Sequence, residues 1–378
     1  MSNADDIFDQ SRGNVARLGL TRIPFTESPV DLVAGKTLNK VFTGREAELK
    51  RVFTLFQSRE RRRILVYGRI GIGKSAFLLE VLSVLKRKLP QMLVTENFSL
   101  PPNMDLATAA LIAVAKAMPD DQWAQQQLYK MGIPTAKLLK ERSSEVGGSL
   151  ALSARTSEKD LSITDPKYPA VSLDTLLDRA VENYKQGIVI AIDDLDKQNP
   201  RQVQQLMHDA QGMLKGPAWF LLTGHPIGMV GDLLTSERGL FDLKLHLEEL
   251  DFDTTYKMLI NYLNSARIDN SSTDPEDPRS VLPFVPKTAV QLCKVCKGKP
   301  RLFNRLGSLI LSTAADLEAE TITPEVLAEC LKRARPSFRE RAALSLQENR
   351  VQAFLEQRGN ISDETITLED MEQLGVRD

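Results

Sequence analysis

The chain of 378 residues has little of several features that would indicate particular classes of protein. It contains only three cysteines, an odd and low number that argues against a disulfide framework and favours a reducing compartment. Lysine and arginine total 49 against 50 aspartate and glutamate residues. No overall basic excess therefore indicates nucleic acid or an anionic membrane as a partner. The three histidines are scattered and give no metal-ligand set.

Long apolar runs are also missing. The first residues are polar and acidic and lack the apolar core of a signal peptide, and no apolar stretch is long enough to span a bilayer. The sequence therefore predicts a cytoplasmic protein without a membrane partner. Hydrophobic residues make up 42% and charged residues 26%, as in soluble globular proteins. The length predicts two domains, or one large domain with a smaller companion.

Short apolar segments alternate with amphipathic helical segments as far as residue 248. Strands with apolar residues on both faces indicate a parallel sheet that is covered by helices on each side. From about residue 252 onward the periodicity is helical only, which predicts a separate helical domain. The predicted strands are 64–67, 92–98, 188–192, 219–223 and 243–247.

Three regions depart from this alternation. Residues 1–40 are predicted to be an irregular N-terminal arm, because Gly19, Pro24 and Pro29 interrupt any long periodic element. Residues 132–169 break the pattern and are predicted to hold a β-hairpin insertion. Residues 336–378 form a charged tail with room for one or two helices.

The most specific motif is Gly68-Arg-Ile-Gly-Ile-Gly-Lys-Ser75, which follows a predicted strand and opens a predicted helix. Its glycines allow successive N–H groups to converge on phosphates, and the helix points its positive end at the anion. Lys74 is predicted to reach the β- and γ-phosphates of ATP, and Ser75 to bind Mg²⁺. The predicted nucleotide contacts in this segment are Gly68, Gly71, Ile72, Gly73, Lys74, Ser75 and Ala76.

A second motif is the apolar strand 188–192, which ends in Asp193 and Asp194. In a phosphate-loop fold this strand is expected to lie beside the loop strand. Asp193 is then predicted to hold Mg²⁺, directly or through water, and Asp194 to polarise the attacking water. The alternative is a strand that merely ends in a polar turn. At the position of the residue that polarises water, glutamate is commoner than aspartate. The presence of Asp194 there does not set the rate of turnover.

Together with residues 41–46 (Val-Phe-Thr-Gly-Arg-Glu), these motifs resemble those of AAA+ and STAND ATPases. The nearest types are the origin-recognition initiators, archaeal-type STAND ATPases, and transposition-regulator and secretion ATPases, whose Gly-Leu…Pro-Phe start residues 18–25 also resemble. The resemblance covers roughly residues 18–335. It implies a RecA-like αβα phosphate-loop core at 41–248 and a helical lid domain at 249–335.

The resemblance implies roles for further residues. Thr223, at the end of a strand, matches the sensor-1 position and is expected to bond the γ-phosphate or the attacking water. Arg301, in Gly-Lys-Pro-Arg, matches the sensor-2 position on the lid. Arg238 occupies the place of an arginine finger that completes a neighbour's site. Each has an alternative: an ordinary strand end, a solvated first-turn arginine and a surface charge. Phe42 and residues 44–46 are expected to line the adenine, or else to form a helix N-terminal turn.

Two weaker features receive structural interpretations. Cys293 and Cys296 have the Cys-x-x-Cys spacing of metal and redox sites, but no second pair accompanies them, so two buried residues on a lid helix are predicted. The basic runs at 59–63 and 332–341 are predicted to be solvated faces, with nucleic-acid contact as the minority interpretation.

The sequence therefore predicts a Mg²⁺-dependent ATPase switch that forms homo-oligomers in its ATP state. Its preferred class is a DNA-associated ATPase with double-stranded DNA as a partner. The alternative is a STAND-type signalling or anti-phage defence ATPase that works through separate effector or partner proteins. The residues after 335 are too few for a complete winged-helix domain, which weakens an initiator role, and no effector domain is visible.

Overall fold

The computed structural model describes residues 3–25, 41–57, 62–133, 168–195, 200–224, 240–269 and 272–333. Its strands are β1 (Arg63–Tyr67), β2 (Leu93–Val94), β3 (Phe98–Ser99), β4 (Ile188–Asp193), β5 (Trp219–Gly224) and β6 (Leu243–His246). The helices of the α/β core are α2 (Glu46–Leu55), α3 (Lys74–Lys88), α4 (Leu106–Ala117), α5 (Gln122–Lys130), α6 (Pro169–Asn183), α7 (Pro200–Asp209) and α8 (Gln211–Leu214). They are preceded by α1 (Ala4–Arg17) and followed by α9 (Phe252–Asn264), α10 (Pro286–Cys296) and α11 (Pro300–Asp316).

Nearly all of the predicted insertion at 132–169, the tail at 336–378 and Arg238 lie outside the described residues. Residues 324–333 form a further helical segment after α11. Among the helices of the described ranges, none has the length and apolar character needed to cross a membrane.

The sheet is parallel, with strand order β2-β4-β5-β1-β6, and β3 pairs with β4 farther along the same edge. The prediction that β4 lies beside the loop strand β1 is wrong, because β5 separates the two. All six residues of β5 are buried, so this strand is apolar enough to fill a central position. Its carboxyl end, with Thr223, therefore stands between the end of β1 and the carboxylates at the end of β4.

The predicted strand 92–98 is split into two short strands. Both pair with β4, Leu93 opposite Ile188 and Phe98 opposite Ile192. Between them, the buried hydroxyl of Thr95 accepts a hydrogen bond from the backbone N–H of Ala191 at 3.0 Å. A side chain thus replaces one backbone rung of the ladder, which explains why the strand is interrupted there.

The two faces of the sheet bury alternate residues, as the period of a strand requires. In β4, Ile188 and Ile190 pack on the face covered by α4 to α8, while Val189 and Ala191 pack on the face covered by α2 and α3. The predicted αβα phosphate-loop core is therefore confirmed. The helices after β6 form a core of their own, as predicted for the lid domain.

The prediction of an irregular N-terminal arm is wrong for residues 4–17, which form helix α1. Asn3 and Asp6 make a capping box at its start, and Gly19, the first of the three residues on which the prediction rested, lies beyond its end. The segment that follows belongs to the lid core. Phe25 stacks on Tyr262 with ring centroids 5.4 Å apart, and a β-carbon on Gly307 would lie 2.7 Å from the Phe25 ring.

Candidate functional site

The phosphate loop connects β1 to α3. Gly71 and Gly73 have φ angles of +79° and +99°, a region that glycine adopts far more readily than other residues. Gly73 is the N-cap of α3 and has no side chain with which to cap the helix. The first N–H groups of α3 have no partner within the helix. The loop therefore presents backbone donors and the positive end of a helix dipole to an anion.

Lys74 lies across this loop. Its side chain is buried, with only 8% of the residue exposed. The ammonium donates to the carbonyl oxygen of Gly68 at 2.9 Å and to that of Arg69 at 3.4 Å. A buried charge needs such partners, and these hold the ammonium at the loop, where it would meet bound phosphates.

Asp193 is the most enclosed carboxylate of the site, at 3% exposure. Its Oδ1 accepts hydrogen bonds from the hydroxyl of Thr223 and, at 3.0 Å, from the backbone N–H of Asp194. Its Oδ2 accepts from Nδ2 of Asn97 at 2.9 Å. The structure therefore brings together Thr223, Asp193 and Asp194. This is expected, because the carboxyl ends of neighbouring parallel strands lie at the same edge of the sheet.

Asp194 has a φ of +63°, unusual for a residue with a β-carbon. The hydroxyl of Ser99 donates to its Oδ2 at 2.6 Å. Asn97 and Ser99 were not predicted as site residues. The available signal was the strand-like run 92–98, which contains Asn97 and is followed directly by Ser99, since the end of this run should meet the same edge of the sheet as the end of β4.

The oxygen ligands at this edge fit a hard divalent cation held together with nucleotide phosphates. Within the described ranges, no group of three or more His, Cys, Asp or Glu side chains could hold a metal alone. Mg²⁺ is commonly bound by one or two carboxylates and by substrate phosphates, with water completing the shell. Asp193 and the hydroxyl of Ser75 are the candidate ligands. The buried Oδ1 of Asn97 has no hydrogen-bond partner within the described residues, so it can accept from cation-bound water.

The lid reaches the phosphate loop at the start of α11. The backbone N–H of Arg301 donates to the carbonyl oxygen of Gly71 at 3.1 Å, and a β-carbon on Gly71 would lie 2.8 Å from Cβ of Arg301. Pro300 approaches Gly73 in the same way, at 3.8 Å. The predicted sensor-2 residue therefore lies against the loop.

Just before α11, Gly298 packs against the segment that leads into the lid. Gly298 has a φ of +67°, and a β-carbon there would lie 1.9 Å from the carbonyl oxygen of Leu250. The Leu250 N–H donates to the Gly298 carbonyl at 2.9 Å. Next to it, Asp251 caps α9, and the hydrogen bond from the Thr254 backbone N–H lowers the pKa of the Asp251 carboxyl.

We expect Gly298→Ala to lower the free energy of unfolding by about 2–3 kcal/mol, because it combines a left-handed backbone with a steric clash. Urea unfolding of the full chain measures this. Gly212→Ala is the matched control, because Gly212 is helical and a β-carbon there meets nothing within 4 Å. Equal stability of the two variants would contradict the close approach at Gly298.

The remaining predicted residues lie elsewhere. Phe42 is partly buried against the α3 side of the sheet, and its contact with adenine stays a prediction. Cys293 and Cys296 are buried in the lid core, as predicted. Burial raises the pKa of the Cys293 thiol to about 12 and that of the Cys330 thiol to about 11. These thiols are therefore protonated at neutral pH and poorly suited to metal binding or redox chemistry.

The match to a family model agrees with this geometry. Residues 41–215 match the family model described as AAA ATPase domain. No curated protein matches the chain. Similar solved structures include the Aeropyrum pernix ORC1 protein in complex with DNA, at 16% identity over 89% of this chain and 78% of that chain, with a TM-score of 0.49.

Two other solved structures are more distant. The Thermotoga maritima RuvB Holliday junction branch migration motor is 14% identical over 77% of this chain and 70% of that chain, with a TM-score of 0.39. Drosophila ORC bound to DNA is 13% identical over 88% of this chain and 67% of that chain, with a TM-score of 0.41. Residues 41–215, which include the phosphate loop, match an AAA ATPase domain, and the parallel sheet around the loop agrees with an AAA+ phosphate-loop fold.

Proposed function

We propose that this chain binds ATP with Mg²⁺ where its α/β core meets its lid, and hydrolyses it as a switch whose lid position follows the nucleotide state. The observation that carries the proposal is the contact between Arg301 of the lid and Gly71 of the phosphate loop. Any ligand that occupies the loop must touch or displace the lid. Loop geometry and lid attachment are therefore parts of one site.

In this proposal the loop N–H groups and Lys74 bind the β- and γ-phosphates, and Ser75 and Asp193 hold Mg²⁺. Mg²⁺, when bound, neutralises charge that develops on the phosphates. Asp194 polarises the attacking water, and Thr223, already bonded to Asp193, orients the γ-phosphate or that water. The guanidinium of Arg301 extends from the lid to the γ-phosphate.

The proposal is tested on the purified full chain. Isothermal titration calorimetry with ADP and ATP measures binding, and phosphate release measures turnover, each with Mg²⁺ and with excess EDTA. We expect both nucleotides to bind and ATP to turn over only with Mg²⁺. Failure to bind either nucleotide would contradict the proposal, whereas binding without turnover would reduce it to an ATP-sensing switch.

We further propose that the ATP-bound chain forms homo-oligomers in which Arg238 completes the site of a neighbouring subunit. An arginine in that role stabilises charge in the transition state and can raise the rate by factors of about 1,000 or more. Mixing Arg238→Ala with an excess of a hydrolysis-deficient Asp194→Asn chain separates the roles. Turnover should reappear if the donor of the arginine and the owner of the carboxylate are different subunits. Wild-type turnover by Arg238→Ala alone would exclude the role.

The process that the switch serves is tested with double-stranded DNA. The proposed DNA-associated ATPase should hydrolyse ATP faster with DNA and shift to larger assemblies in light scattering. The competing proposal is a STAND-type signalling or defence ATPase that acts through separate protein partners. If DNA changes neither turnover nor assembly, the DNA-associated class is dropped in favour of that alternative.

A further inference from the structure

Arg45 lies at a junction of the phosphate loop with the segment that enters the lid. Its side chain is only 9% exposed. Nη2 donates to the carbonyl oxygen of Glu248 and, in a longer contact of 3.5 Å, to that of Ile72 in the phosphate loop. Nη1 faces a carboxylate oxygen of Glu48 at 3.3 Å. One guanidinium thus joins the loop, the segment after β6 and helix α2.

The backbone around Arg45 is held in an unusual conformation. Arg45 has a φ of +69° and Gly44 one of +77°. A β-carbon on Gly44 would lie 2.6 Å from Cγ2 of Thr254 in α9 of the lid, and Asn261 of the same helix donates to Thr43 at 2.9 Å. A non-glycine residue stays in the left-handed region only where its surroundings impose it. Here the lid helix and the guanidinium contacts do so.

The segment 247–250, which we call the lid linker, is fixed at each residue. The Leu247 N–H donates to the carbonyl oxygen of Tyr67, and the Leu250 N–H to that of Gly298. Between these, the Glu248 carbonyl accepts from Arg45, and the Glu249 carboxylate pairs with Arg69 of the loop at 3.3 Å. The lid linker is therefore fastened to the loop by two arginines, of which Arg45 has much the less exposed side chain.

The carbonyl group of Ile72 belongs to the same peptide unit as the N–H group of Gly73, which would contact the nucleotide. The peptide plane is rigid and trans, so the C=O of Ile72 and the N–H of Gly73 point in opposite directions. A phosphate that accepts the Gly73 N–H would direct the Ile72 carbonyl away from the ligand, toward Arg45. Hydrogen bonds at the two ends of one peptide unit also polarise each other favourably.

We propose that Arg45 is a positioning residue that couples phosphate binding at the Ile72–Gly73 peptide to the lid linker through the carbonyl of Glu248. This inference rests on the proposed ATP site and adds the path by which its occupancy reaches the lid. The planar guanidinium suits the role because it donates in two directions at once, which a lysine ammonium at that depth does less precisely.

The test combines ADP titration with hydrogen–deuterium exchange of the full chain. The variants are Arg45→Gln, which removes the charge, and Arg45→Lys, which keeps the charge but loses the planar group. Glu48→Gln is the matched control, because it removes the carboxylate partner and leaves both carbonyl contacts in place. Exchange is followed at 68–75, 247–251 and 298–304, without ADP and at saturating ADP with Mg²⁺.

In the wild type and in Glu48→Gln we expect ADP to slow exchange in all three segments. In Arg45→Gln, ADP affinity should fall about tenfold, within the usual range of coupling between sites. Saturating ADP should then still protect 68–75 but no longer 247–251. Arg45→Lys should lie between these cases, and it decides the question if Arg45→Gln does not fold.

Two results would overturn the inference. One is wild-type affinity and full ADP-dependent protection of 247–251 in both Arg45 variants. The other is a wild-type protein in which ADP protects the loop and leaves 247–251 unchanged. A wild-type chain that binds no ADP would instead refute the proposed function, and the inference with it.

Discussion

Replacing Lys74 by alanine is expected to weaken ATP binding about 100-fold and to abolish measurable turnover. The ammonium is buried at the mouth of the loop, 2.9 Å from the Gly68 carbonyl. Its loss leaves bound phosphate charge without a desolvated partner. Truncating one member of a buried charge pair costs about 3 kcal/mol, which corresponds to roughly a 100-fold loss of affinity. Calorimetric titration with ATP measures the affinity of the variant directly.

The control for Lys74→Ala is Lys116→Ala, which removes an exposed lysine at the end of α4. Both variants should fold, because Lys74 contributes to the site more than to the core, and circular dichroism verifies this. If Lys74→Ala folds and binds ATP with wild-type affinity, the loop does not hold phosphates, and the proposed function loses its main support.

The phosphate loop was predictable because its chemistry is local. The glycines, the lysine and the start of the following helix all lie within the continuous segment 68–75, and the apolar segments on each side identify the strand and the helix that it connects. The same holds for Asp193 and Asp194 at the end of a buried strand. The structure places these groups at the same edge of the sheet, as the sequence pattern predicted.

What the sequence missed depends on contacts between distant segments. The position of β5 between β1 and β4 follows from how buried strands pair across the sheet. The apolar pattern of a strand does not reveal which strands lie beside it. Asn97 and Ser99 were missed for the same reason, because only the pairing of β3 with β4 brings them to the carboxylates.

The N-terminal segment shows a different limit. Gly19, Pro24 and Pro29 suggested an irregular arm, and the chain is indeed non-helical at Gly19 and Pro24. Helix α1 before them is mostly polar and has no buried residue, so few apolar side chains mark it in the sequence. That Phe25 fits against Gly307 of the lid could be learned only from the fold.

Asp194→Asn is expected to lower ATP turnover about 100-fold or more while ATP binding stays close to that of the wild type. An amide is a much weaker proton acceptor than a carboxylate, and loss of a positioned general base has effects of this size. Asparagine tolerates the left-handed region, so the backbone at φ +63° and the hydrogen bond from Ser99 can both persist. Single-turnover phosphate release and nucleotide titration separate the two effects.

Asp178→Asn, on the exposed side of α6, is the matched control and should leave turnover unchanged. Asp194 and Asp193 are adjacent but differently held. Asp193 is enclosed by Thr223 and Asn97, as suits a group that positions a cation, whereas Asp194 points to Ser99 at the rim. If Asp194→Asn hydrolyses ATP at the wild-type rate, the division of roles is wrong. The water would then have to be activated by another group, and the hydrogen bond from Ser99 would be purely structural.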